Sequence, residues 1–157
     1  MPSFFQQIHS NLVALISLTV ALGALGYNSW RNEKTEDQRN IRLASFQVLE
    51  NLGEMQEIVD ARYYYLAFDQ SAGDESSLRL KGFGNAAMSR DLMGLMPPPA
   101  PAAGAELHAT WVRHFNHLDE LDAKGKHTSR AVAAEEELRL ALERSRAVVM
   151  QALANLD

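Results

Sequence analysis

The chain has no cysteine among its 157 residues. Disulfides, thiolate nucleophiles and zinc–sulfur centres are therefore excluded, while the redox compartment is left open. Charge is missing from one end. Between Met1 and Trp30 there is no Asp, Glu, Lys or Arg, and the only side chain that ordinarily titrates near neutral pH is His9. Proline is scarce too, and all but Pro2 fall between Pro97 and Pro101. Nowhere does an apolar–polar alternation mark a strand, which leaves an all-α chain. An excess of positive charge is also absent. The net charge is −5, and because residues 31–42 carry four basic against three acidic side chains, the rest is about −6. Without a basic face to neutralise phosphates, nucleic acid is excluded as a partner.

The uncharged end is organised around Ile8 to Trp30, IHSNLVALISLTVALGALGYNSW. At about 1.5 Å per residue, a helix over these residues is roughly 34 Å long, enough to cross a bilayer with some tilt. Leu12 to Leu25 forms the apolar body, Tyr27 and Trp30 stand where an interfacial aromatic belt belongs, and Arg31 ends the span. Residues 1–30 therefore read as a short N-terminus and a single transmembrane anchor in contact with the lipid bilayer. A cleaved signal peptide is the competing reading, with Ala24-Leu25-Gly26 as a small-residue site. The lack of Lys or Arg before the apolar run and the aromatic-then-basic flank after it speak against cleavage. Arg31, Lys34, Arg39 and Arg42 all follow the span, so the positive-inside rule places the C-terminal domain in the cytoplasm. Thr19, Gly23 and Gly26 share one side of the span in small-residue spacing, the pattern of a membrane helix packed on another.

Residues 31–157 read as one helical domain of ordinary size. A stalk helix over 31–69 has a heptad-like seam of Ile41, Ser45, Val48, Leu52, Met55, Val59, Arg62 and Leu66, broadened by Phe46, Leu49 and Tyr63. Nothing between Tyr27 and Ile41 stops a helix, so the membrane helix is expected to continue into it. Gln70 to Asp74 is a turn by composition. A second helix over about 75–95 has Leu78, Leu80, Met88, Leu92 and Leu95 as its apolar set, with a kink or break expected at Gly82-Phe83-Gly84. Pro97 to Gly104 reads as a short, stiff linker joining two helices. A third helix over 105–123 places Leu107, Trp111, Phe115, Leu118 and Leu121 on one face. A fourth over 128–156, capped by Thr128 or Ser129, has the seam Leu138, Leu142, Ser145, Val149, Ala152 and Leu156. The expectation is an antiparallel bundle of about four helices, the first continuous with the anchor.

Chemistry is hard to find. His114 and His117, spaced i, i+3, are the candidate metal ligands, with Asp119 or Glu120 nearby. On the helical wheel His114 falls in the apolar arc beside Trp111 and Phe115, while His108 and His117 sit on opposite edges; there is also no Glu-x-x-His pair. The histidines are thus read as structural and surface residues, and no metal or cofactor is expected. Tyr63-Tyr64-Tyr65 points three ways on a helix, so no more than two rings enter the core. Glu135-Glu136-Glu137 is a solvated run rather than a facing pair. No convergent acid, base and nucleophile can be named, so the chain is not read as an enzyme.

The stretch NLVALISLTVALGALGYNSWRNEKTEDQRNIR, Asn11 to Arg42, resembles the N-terminus of a group of small bacterial single-span proteins of unassigned activity, over about a fifth of the chain. The resemblance implies a bacterial inner-membrane protein with its domain behind a YNxWRNExTE-type junction, and carries over no catalytic or binding residue. The junction residues Tyr27, Asn28, Trp30, Arg31, Asn32 and Glu33 are read as an interfacial anchor. The function expected is a membrane-anchored interaction or scaffold subunit, forming a homo-oligomer or joining another membrane protein. A single-span sensory module with a ligand between its helices is the second expectation, and a His-based metal-binding bundle the third.

Overall fold

A computed structural model describes the backbone of residues 4–68 and 75–156, with side chains described from Asn11 onward. The expected turn at Gln70 to Asp74 lies outside the described residues. The described backbone is helical, with no strand: α1 is Phe4–Asp60, α2 Glu75–Gly94, α3 Ala100–His114 and α4 Ser129–Ala154. Two compact units divide the chain, residues 1–40 and 41–157.

In the first unit, the described side chains of α1 from Asn11 to Asp37 are exposed. Its apolar side chains from Leu12 to Trp30 are 50–66% exposed, on every side of the helix. Polar groups are satisfied within the helix. Thr19 donates its hydroxyl to the Leu15 carbonyl at 2.9 Å, and Thr35 does the same to Arg31. Past the apolar stretch, the Lys34 ammonium sits 5.8 Å above the Trp30 ring and Arg39 pairs with Glu36 at 2.7 Å.

In the second unit, all four helices contribute to one core. Val48, Leu52, Met55 and Val59 of α1 meet Met93 of α2, Leu107 and Trp111 of α3, and Leu138, Leu142 and Val149 of α4. The heptad seam of α1 is buried as its spacing requires, down to Ser45 and Arg62, with Ile41 half-buried. The seam of α4 is likewise buried from Leu138 to Leu156. Thr128 caps α4, its hydroxyl accepting the Ala131 N–H at 3.1 Å.

Expectations for α2, the linker, α3 and the stalk helix need correction. Only part of the expected apolar set of α2 faces inward: Leu78 and Leu92 are half-buried against the core, whereas Leu80 and Leu95 are 76% exposed and Met88 is exposed as well. Gly82, Ala86, Ser89 and Met93 form the buried face. At Gly82 the reason is the volume of Trp111, which leaves no room for a side chain opposite. Gly82-Phe83-Gly84 is not a break either, and α2 runs unbroken across it. Gly104 makes the matching close approach from α3, where a Cβ would stand 2.9 Å from the Met93 Cβ. Second, the linker is shorter than Pro97 to Gly104, because α3 already starts at Ala100. Pro101 sits in the first turn, where its missing N–H has no intrahelical acceptor to lose.

Third, α3 stops at His114 rather than Ala123. A 3-10 turn, Phe115–His117, follows, and then an irregular segment. Asp122 ties that segment down by accepting the Lys124 and Lys126 N–H groups at 2.8 and 2.9 Å, and Gly125 supplies the left-handed residue, φ 72°. Finally, the stalk helix does not run regularly to Asp69. It widens into a π-turn at Ala61–Leu66, where the Ala67 N–H reaches back five residues to the Arg62 carbonyl.

Candidate functional site: a buried guanidinium in a π-turn

The π-turn holds the only buried charge among the described residues, Arg62, whose residue surface is 3% exposed. A guanidinium taken out of water is costly unless it is paired and hydrogen-bonded. Here the partners come from outside its own helix. Nη2 lies 3.1 and 3.0 Å from the two Asp119 oxygens and 3.2 Å from Glu75 Oε1. The guanidinium carbon stands 4.6 Å above the Phe115 ring, whose face attracts a cation. Asp119 is placed to take part because α3 has ended five residues earlier at His114. Among the described residues, Nε and Nη1 have no hydrogen-bond partner.

The neighbouring residue continues the site. Tyr63 stacks on His127 with ring centroids 3.8 Å apart and planes 7° apart, and Phe68 meets the same imidazole edge-on at 5.1 Å. Both His127 ring nitrogens are buried, again with no hydrogen-bond partner among the described residues. Burial raises the Tyr63 phenol above its ordinary value, with Glu135 and then Tyr64 adding to it. Tyr64 and Tyr65 are exposed. Trp111 stacks on Phe115 at 5.2 Å, so the aromatic layer runs from Arg62 into the core.

The sequence-predicted residues lie elsewhere. His114 is half-buried, and its imidazole is held below the ordinary value by desolvation first and the nearby Arg113 second. His117 turns to Glu120, Nδ1 to Oε1 2.7 Å, and that bond lowers the Glu120 carboxyl. Among the described residues no three His, Asp or Glu side chains converge on one point. Tyr27 and Trp30 are exposed, with ring centroids 6.0 Å apart, and Arg31 is exposed beside them. Around Gly23 and Gly26 the space is open to 4 Å, and Thr19 lies on the exposed surface.

Sequence reasoning placed Arg62 in the seam of α1 without giving it a role. The signal was present: an arginine at a core position demands a carboxylate partner. Asp119, 57 residues away, carries no mark that identifies it as the partner. The arrangement joins the end of α1, the start of α2 and the segment after α3 through one cation. It offers a positioned charge pair and an aromatic stack. A scan against protein-family models finds no match, and searches of curated proteins and of solved structures return no similar chain.

Proposed function

We propose that this chain is a membrane-tethered helical interaction subunit. Residues 1–30 supply a short N-terminus and a single transmembrane anchor, and residues 31–157 an antiparallel bundle that presents binding surface to a partner. The carrying observation is the stretch from Leu12 to Trp30: a helix without one charged residue, whose large apolar side chains are at least half exposed all round. A soluble core helix buries one face, and this one buries none. At the bundle, Leu80, Met88 and Leu95 of α2 add apolar surface available to a partner. The basic residues after Trp30 support a cytoplasmic C-terminal domain, and the resemblance over Asn11 to Arg42 supports a bacterial inner membrane. The role is structural rather than catalytic, and the partner is a second copy of the chain or another membrane protein.

Crosslinking in native membranes, followed by mass spectrometry, tests the role. The expected result is a discrete crosslinked species containing this chain. A chain that stays monomeric under crosslinking in intact membranes contradicts it. A reporter fused after Asp157 tests the orientation: activity of a cytoplasmic reporter is expected, and activity of a periplasm-only reporter overturns it.

A further inference from the structure

We propose that Ala61–Leu66 is a two-register element, latched in its wide π register by the Arg62–Asp119 pair. This inference stands independently of the membrane reading. A π-turn holds one residue more than the α-turn it replaces, and occurs mostly as a single turn at positions with a special role. Left to itself, the helix end rewinds to the α pattern, which rotates the residues beyond it by about 100°. Contacts with one neighbouring segment oppose that rotation: Phe68, beyond the turn, meets His127 edge-on at 5.1 Å, and two contacts at the start of the turn hold that segment in place. The guanidinium is fixed between both oxygens of Asp119 and the face of Phe115. The next ring, Tyr63, lies flat on His127. Both contacts belong to the same segment, since Phe115, Asp119 and His127 all fall between α3 and α4. One event is therefore transmitted to both: loss of the charge pair releases the segment and moves Tyr63 off the imidazole.

The unequal burial of the partners gives the latch its direction. Arg62 has 4% of its side chain exposed and Asp119 31%, so an unpaired Asp119 rehydrates in place whereas an unpaired Arg62 has to move. Glu75 lies 65% exposed and holds the guanidinium from one side only.

The test uses the full chain in detergent micelles, as wild type, Arg62→Met and Asp119→Asn. In the wild type, the Tyr63 ring current shifts the His127 ring-proton signals upfield. In both variants these signals are expected to move to unstacked positions, and amides of residues 118–128 to exchange at least tenfold faster. Amides in the middle of α4, from Ala134 to Val149, keep their wild-type protection. Arg62→Met carries the test alone if Asp119→Asn does not fold, because methionine fills the volume without a charge. Retained upfield signals in Arg62→Met overturn the proposal. So does uniform acceleration of all amides, which marks the pair as a general stabiliser and not a latch.

Discussion

Trp111 occupies the space where Gly82 would carry a side chain: a Cβ built on Gly82 stands 2.5 Å from the indole Cζ2. The glycine is kept by the tryptophan opposite it, and α2 and α3 approach as closely as they do because of that absence. Two residues along the same helix, Gly84 has nothing within 4 Å of its own Cβ position.

The two glycines should therefore respond oppositely to alanine. Gly84→Ala gains helix propensity without a clash and should stabilise by about 0.5–1 kcal/mol. Gly82→Ala gains the same propensity but forces the indole to shift, and overpacking of this kind costs about 1–3 kcal/mol. Denaturant midpoints of the two variants check this. Equal shifts of the same sign contradict the packing described here.

Acid sensitivity should have a histidine component. The His114 pKa is lowered on folding, so the unfolded chain binds the proton more readily and stability rises with pH through that window. Stability is therefore fully present above the ordinary histidine value of 6.5 and declines as pH falls below it toward the lowered folded value. His114→Gln should flatten the stability-versus-pH curve in that window. The Glu120 carboxyl adds its own loss only at lower pH, below the carboxylate value of 4.5. Unfolding midpoints measured from pH 7.5 to 5 check the histidine component, and an unchanged slope in the variant contradicts it.

On the proposed span, Thr19, Gly23 and Gly26 stand on the exposed surface with open space around both glycines. Thr19 satisfies its hydroxyl on Leu15, so its side chain presents a small polar-satisfied surface beside Gly23 and Gly26. Close backbone approach there gains dispersion contact that lipid does not offer a glycine. Gly23→Ile is expected to abolish association while leaving insertion and helicity intact. Unchanged oligomer size and partner recovery, at normal expression, show that this surface faces lipid alone.

The sequence was most legible where one residue type repeats at helical spacing. The seams of α1 and α4 were read from periodicity, including Ser45, Arg62 and Ser145, because burial there follows position more than residue identity. It was least legible on α2. Counting large apolar residues pointed to Leu78, Leu80, Met88, Leu92 and Leu95, of which only Leu78 and Leu92 pack against the core, while Gly82 faces inward because Trp111 leaves no room there for a side chain. That constraint belongs to another helix. The end of α3 was misread for a similar reason: Leu118 and Leu121 continue the apolar rhythm after the helix has stopped, and Leu118 is buried from an irregular segment. The pairing of Arg62 with Asp119 depends on tertiary placement, which local spacing does not encode.

The central claim is the tether, and intact-mass analysis of the alkaline-carbonate-washed membrane fraction tests it most directly. Expressed at native level in a bacterial host, the chain should remain in the washed pellet with its mass still including residues 1–30. Recovery in the soluble fraction contradicts the claim, as does a mass shortened by about 26 residues through cleavage after the small-residue stretch at Ala24-Leu25-Gly26.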